Sequence, residues 1–200
     1  MRLYLASRSP RRRELLQQIG VDFELLLSGA DDRDDEIDET PHPGEAALDY
    51  VERIARAKAA HGARLLAERG WAAHPVLSAD TTLEFAGEII GKPRDAGDAV
   101  TILERLSGQT HRVLTGVAIH DRGRIEYALS VSEVRFRALE PAEIRAYVAT
   151  GEPLDKAGAY GIQGRAGLFV AHLAGSYTGI MGLPVCETGE LLKRLGWSLF

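Results

Sequence analysis

LYLASRSPRRRELLQQIG, residues 3–20, joins an apolar run to a helical pattern with almost nothing between them. Leu3 to Ala6 reads as a short buried strand and Pro10 to Ile19 as a helix. Ser9 suits the N-cap, Pro10 the first helical position and Gly20 the C′ position. This reading puts Arg11, Arg12 and Arg13 in the first helical turn and Arg8 just ahead of it. A helix N-terminus already carries partial positive charge, so cations there cost about 0.3–1 kcal/mol each before screening. Two arrangements remove the conflict. Either a multivalent phosphate sits among the arginines, whose forked donors match its oxygens, or they face solvent and the acids of residues 31–39. Charge spacing alone does not choose between these.

Outward from this unit, VDFELLLSG (21–29) reads as a second strand. Seven carboxylates crowd residues 31–39, for the most part a solvated loop. Pro41 and Pro43 restrict the backbone ahead of a helix from about Glu45 to Arg69. That helix admits two registers. Val51, Ile54, Lys58, His61 and Leu65 turn Lys58 inward; Leu48, Val51, Ala55, Ala59, Gly62 and Leu66 leave it at the edge, where lysine usually snorkels.

Further on, Val76–Ala79 reads as a strand with Asp80 near its C-terminal end, followed by a hairpin-like segment closing at Gly91-Lys92-Pro93. A helix is predicted over Asp98–Leu106. Two long β-patterned runs, 111–120 and 125–139, flank the turn DRGR. Helices follow at 141–151 and 185–196, with a glycine-rich segment at 152–167 and a strand candidate at 168–175. Helices and strands are mixed, without an internal repeat or low-complexity linker, so the expectation is one α/β domain over residues 1–200.

Bulk properties narrow the function. Apolar content of 45% and charged content of 26% are ordinary for a globular protein, and 200 residues suffice for a real core. The formal net charge of −5 argues against a broad nucleic-acid footprint, so any anion site must be made by a few placed cations. Cys186 is the only cysteine, which excludes a disulfide within the chain and a thiolate zinc site. It reads as a small core residue, and Trp71 and Trp197 as packing anchors near helix ends. The histidines show no pair at metal-ligand spacing. No signal-peptide pattern or membrane-length apolar run is present, so the expectation is a soluble cytoplasmic protein without nucleic-acid or membrane partners.

Ligands of open α/β sheets gather at strand ends, where Ser7-Arg8-Ser9 and Asp80-Thr81-Thr82 are expected to lie. Lys92 in a Gly-Lys-Pro turn and Gln163 in a Gly-Ile-Gln-Gly loop are placed unlike core residues. Together these segments offer phosphate-binding cations, carboxylates for a hard metal ion and a side-chain amide able to read a base. The segments ASRSPRRRELLQQIG, DET, ARAKA, ADTT, GKP, LSGQTH, LTGV, DKAGAYGIQG and GSYTGIMGLPVCET run nearly end to end. In them the chain resembles the Maf family, nucleoside triphosphate pyrophosphatases once described as septum-formation inhibitors.

The resemblance implies hydrolysis of a nucleoside triphosphate between the α and β phosphates, a divalent metal, Mg²⁺ or Mn²⁺, and a two-lobed α/β fold with a mixed twisted sheet and a central cleft. It implies phosphate binding by Ser7, Arg11, Arg12, Lys58 and Lys92, matches Glu39 to the family's acid before the long helix, and makes Asp80 the proton acceptor. Because carboxylate oxygens suit a hard cation, Glu39 and Asp80 are further expected to hold the metal, directly or through water. It ties Arg11, Thr81 and Gln163 to substrate choice. LSGQTH and YGIQG look like the branch acting on dTTP and UTP, and a homodimer would suit the family. Arg8 and Arg13 lie outside the family's core motif. The competing reading is a non-catalytic nucleotide-binding regulator of cell division. Simple anion capture, however, has no need of carboxylates at Glu39 and Asp80.

Overall fold

A computed structural model of the chain describes residues 2–27 and 37–200. The expectation of a solvated loop therefore lies outside the described residues for positions 31–36. The fold is α/β, a mixed open sheet of seven strands flanked by helices. The first strand and helix are β1 (Leu3–Leu5) and α1 (Pro10–Gln18), followed by β2 (Phe23–Leu25) and the long α2 (Ala47–Glu68). Next come β3 (Val76–Phe85), β4 (Glu88–Ile90), α3 (Ala96–Leu106), β5 (Thr110–Asp121) and β6 (Arg124–Phe136). The chain ends with α4 (Pro141–Val148), three short 3₁₀ turns over 152–169, β7 (Val170–Ala174), α5 (Tyr177–Met181) and α6 (Val185–Arg194).

The strand order is β2-β1-β3-β5-β6-β7, with β4 paired to β3 off this path. β1 runs parallel to β2 and β3, and the remaining pairs are antiparallel. One edge of β3 pairs with β5 from Val76 to Glu84. Its other edge is shared: β1 pairs with Val76 and Leu77, and β4 with Leu83 to Phe85. Neither strand pairs with residues 78–82, which leaves an opening in the sheet at the middle of β3.

Side chains alternate across a strand, so β3 and β5 serve two layers. On one face Leu77, Ala79, Val117 and Ile119 pack with Leu15 and Leu16 of α1 and Leu191 and Leu192 of α6. A second core starts at Leu83 and Val113 and takes in Leu103 and Leu106 of α3 and Ile144 and Tyr147 of α4. These two cores are the two lobes, built at opposite ends of the same long strands. The other face of the sheet is covered by α2, whose Val51 and Ile54 meet Leu114 and whose Ala55 and Ala59 meet Ala118.

The buried face of α2 takes in members of both registers, and the Lys58 side chain, only 12% exposed, turns inward to Asp80. Val51, Ala55, Ala59, Gly62 and Leu66 are buried, joined by Tyr50, Ile54 and His61, while Leu48 is exposed. Gly62 permits this close seating. A Cβ there would stand 2.8 Å from Val76 Cγ1 and 3.0 Å from Ala6 Cβ, so the helix seats on the sheet only where this side chain is missing.

Several expectations are corrected. The strand through Val76–Ala79 does not end near Asp80 but continues to Phe85, because its far half finds partners in both β5 and β4. Cys186 is exposed rather than core, since α6 turns Thr188, Leu191 and Leu192 inward. Trp197 is buried as expected, but Trp71 is 41% exposed and lies against Tyr4 and the Arg69 guanidinium. Among the described residues no helix is long and apolar enough to cross a membrane.

Candidate active site

The opening in the edge of β3 leads into a cleft of about 610 Å³ between the two lobes. Because the strand edge itself is bare there, the cleft reaches both faces of the strand. Asp80 enters from the α2 side and Thr81 from the opposite side. The described residues lining it include six cationic side chains, Arg8, Arg11, Arg12, Lys58, Lys92 and Lys156, against three carboxylates, Glu39, Asp80 and Asp155. A chain of net charge −5 thus carries a cleft of the opposite sign.

At the α2 side, the Lys58 ammonium donates to Asp80 Oδ1 at 2.9 Å and lies 2.7 Å from Glu39 Oε1. Burial works against the charged lysine, but the two carboxylates outweigh it and hold its pKa above the ordinary value. Tyr50 lines the same wall; burial first, then Asp80 and Glu39, push its phenol pKa well up, so it stays a neutral donor. Its hydroxyl donates to the Glu39 carbonyl at 3.0 Å.

At the α1 side, Arg12 is the hub. Its Nε donates to the Gly182 carbonyl at 2.8 Å, Nη1 to Ser7 Oγ at 3.1 Å and Nη2 to Thr81 Oγ1 at 3.3 Å. Thr81 Oγ1 lies 3.0 Å from Thr115 Oγ1, which donates in turn to the Gly179 carbonyl. This explains one of the arginines at the head of α1: it finds acceptors on three other segments rather than solvent. Ser9 occupies the N-cap position, but its side chain makes no capping bond and the first turn holds no acid. The first-turn N–H groups therefore keep their capacity for an anion.

The third wall comes from the loop after α4. Arg11 lies 3.7 Å from Asp155, and Lys156 folds onto Asp155 and donates to the Glu152 carbonyl at 2.6 Å. Gly158 donates its N–H to the Gly91 carbonyl at 3.0 Å, which fastens this loop beside Lys92. Gly158 has φ +73°, and a Cβ would run into Leu83 Cδ1, so the close approach depends on glycine. Lys92 itself is exposed and makes no hydrogen bond or ion pair among the described residues.

Ser7, Arg11, Arg12, Glu39, Lys58, Asp80, Thr81 and Lys92, read from distant segments, thus line one cleft. Gln163 does not: it is exposed in the turn after Tyr160, outside the lining. The residue reading missed Lys156 and Tyr50 as lining residues, and Arg8, which it left outside the family's core motif, lines the cleft too. Lys156 lay in plain view within DKAGAYGIQG, while Tyr50 gave no signal beyond its place on an apolar helix face.

Asp80 and Glu39 are also the groups able to hold a metal. Each spends one carboxylate oxygen on Lys58, and the other makes no hydrogen bond among the described residues. No cluster of three or more metal-ligating side chains exists among the described residues, so no all-protein cage is offered. Mg²⁺ and Mn²⁺ suit this set, since a hard cation of this kind takes one or two carboxylates and completes its shell with water and phosphate oxygens.

Comparison with known proteins bears on this arrangement. The family described as "Maf-like protein" matches residues 2–195. A dTTP/UTP pyrophosphatase of Dechloromonas aromatica (strain RCB) is 70% identical over 198 residues, covering 98% of this chain and 98% of the relative. One of Aromatoleum aromaticum is 62% identical over 200 residues, 99% of this chain and 97% of the relative. One of Chromobacterium violaceum is 50% identical over 198 residues, 99% and 96% of the two chains.

Proposed function

The chain belongs to the Maf family, and from that premise we propose that it hydrolyses nucleoside triphosphates, dTTP and UTP foremost, to the monophosphate and pyrophosphate. The observation that carries the reading is the cleft itself, where a surplus of cations surrounds Asp80 and Glu39. A triphosphate brings about four negative charges, and cleavage moves more of that charge onto the departing pyrophosphate, so placed cations favour the transition state.

In this reading the reactive triphosphate lies along the bare edge of β3. Arg11, Lys92 and Lys156 take phosphate oxygens, with Arg8 at the mouth and the α1 first turn adding N–H donors. Arg12 is committed to Ser7, Thr81 and Gly182, so it holds these three in register while contributing its charge. The apolar wall of Leu83, Ile89, Val113 and Tyr160 takes the sugar and base.

Glu39 and Asp80 would hold the divalent cation, directly or through water, and the cation would supply charge neutralisation and a more acidic water. Asp80 orients the attacking water and accepts its proton at the carboxylate oxygen not engaged by Lys58. Lys58 pairs with both carboxylates and aims them at a common point. Gln163 stands outside the cleft lining on the loop that also carries Lys156, so its amide, with donor and acceptor, reads the polar edge of thymine or uracil where the base extends past Tyr160 toward that loop.

A panel of nucleotides assayed for pyrophosphate release, by phosphate detection with added inorganic pyrophosphatase, tests the activity and the base preference at once. Turnover should be greatest with dTTP and UTP; tight binding without turnover at any metal or pH would replace the enzyme with a regulator. Asp80→Asn should lower kcat by about 10²–10⁴, and wild-type rates in that variant would end its role as base. Gln163→Ala should erode pyrimidine preference by about tenfold while leaving the metal requirement unchanged.

A further inference from the structure

Glu39 lies in a stretch, residues 37–46, that forms no helix or strand, yet its carboxylate meets Lys58 and faces the cleft. Its backbone is held by side chains of α2. Arg53 Nη1 donates to the Asp38 carbonyl at 3.3 Å and Nη2 to the Thr40 carbonyl at 3.2 Å, while Tyr50 donates to the Glu39 carbonyl between them. Three consecutive carbonyls are thus fastened to one helix. The Arg53 fork is itself locked: Nε and Nη2 grip the Glu45 carboxylate at 2.6 and 2.7 Å, and the guanidinium lies over the Tyr50 ring at 5.5 Å. Glu45 Oε2 also accepts from the His42 N–H at 2.9 Å, closing the loop back on itself.

We propose that Arg53, which does not line the cleft, is a positioning residue for Glu39, presenting its carboxylate to the divalent cation through a clamp shared with Tyr50 and Glu45. The inference rests on the reading of Glu39 as a metal-holding residue. Three features support it. The fork matches a carboxylate bidentately while its remaining donors reach backbone oxygens, a geometry lysine cannot reproduce. Arg53 and Tyr50 lie five and eight residues ahead of Lys58 on the same helix, so Glu39 and Lys58 share one rigid support. Partners that orient ligating carboxylates typically change metal affinity by about 10–100-fold when removed.

The test measures Mn²⁺ binding directly, by the EPR signal of the free ion in the presence of protein and non-hydrolysable α,β-imido-dUTP, corrected for nucleotide alone. Arg53→Ala should weaken Mn²⁺ binding about tenfold, Arg53→Lys should recover only part of it, and Tyr50→Phe, which removes a single hydroxyl, should weaken it about threefold. In a Glu39→Gln background Arg53→Ala should add nothing, because its effect runs through that carboxylate. In kinetics, raising Mn²⁺ should restore the kcat of Arg53→Ala with little change in nucleotide KM. If Glu39→Gln weakens Mn²⁺ binding but Arg53→Ala and Tyr50→Phe do not, the positioning role is overturned and the metal reading stands. Equal losses from Arg53→Ala in both backgrounds also overturn it, as would a purely structural lesion. If Glu39→Gln leaves Mn²⁺ binding unchanged, the metal reading falls and the inference with it. Should Arg53→Ala fail to fold, Tyr50→Phe and Arg53→Lys carry the same comparison.

Discussion

Lys58 lies under opposing pressures, and their balance shapes the site. Burial disfavours its charge, while Asp80 and Glu39 within 3 Å favour it more strongly. Removing the ammonium would leave two carboxylates converging without a counter-charge. Lys58→Met should therefore lower kcat by about a hundredfold. Its melting temperature should rise more with added Mn²⁺ than that of the wild type, because the metal then relieves a repulsion the lysine otherwise relieves. Differential scanning fluorimetry with and without Mn²⁺ checks this, and equal metal shifts would contradict it. At this scale the residue types were legible: Ser7, Arg11, Arg12, Lys58, Asp80 and Lys92 stand in short motifs whose chemistry shows in their composition. Arg12 was legible only as a cation. That its donors serve Gly182, Ser7 and Thr81 is a fact of three-dimensional neighbourhood.

Among the elements, β3 and α2 set the site between them. β3 was read too short because its apolar pattern pauses at Asp80-Thr81-Thr82, where the strand turns polar groups toward the cleft on both faces. A polar break in a strand pattern looks the same whether the strand stops or is uncovered. α2 was read at nearly its true length, but that its buried face spans both registers and turns Lys58 inward was decided only by what it packs on. Gly62 gives this a test. Alanine is the better helix former by about 1 kcal/mol. Yet its Cβ would stand 2.8 Å from Val76 Cγ1 in a buried junction, and overpacking of this kind costs about 1–3 kcal/mol. Gly62→Ala should therefore lower the melting temperature rather than raise it, and Gly62→Val should do so further. Lifting α2 off the sheet displaces Lys58 one turn away, so kcat should fall along with stability. An increase in melting temperature for Gly62→Ala would show that the helix seats with room to spare.

Over the whole molecule, the second core holds a histidine that links stability to pH. His111 is buried between Phe136 and Tyr160, with Nε2 2.8 Å from the Tyr160 hydroxyl, and burial pushes its pKa down to about 4. The unfolded chain takes up this proton near pH 6.5 and the folded one only near 4. Its contribution is therefore fully present above about pH 6.5 and is lost as the pH falls toward 4, on the order of 3 kcal/mol at most. His111→Gln, which cannot titrate, should flatten the fall in unfolding free energy between those pH values, as read by denaturant titration across that range. An unchanged acid limb would place the sensitivity elsewhere.

Local pattern carries backbone preference and the burial of faces. The strand-then-helix start, the α/β class, the β5–β6 hairpin and most helix spans could accordingly be read from residues in order. The motif residues likewise declared their chemistry, because a charge or carboxylate is a property of one side chain. Tertiary structure alone decided that β3 runs on past Asp80 with its edge bare, that Cys186 faces outward, that Tyr50 and Arg53 hold the Glu39 segment, and that Gln163 stands outside the cleft lining. The reason is the reach of the forces involved. Hydrogen bonds and ion pairs act over about 3 Å, and Arg12 meets Gly182 across 170 positions of chain. No pattern of neighbours encodes such a meeting until strand pairing and the two cores have brought the segments together.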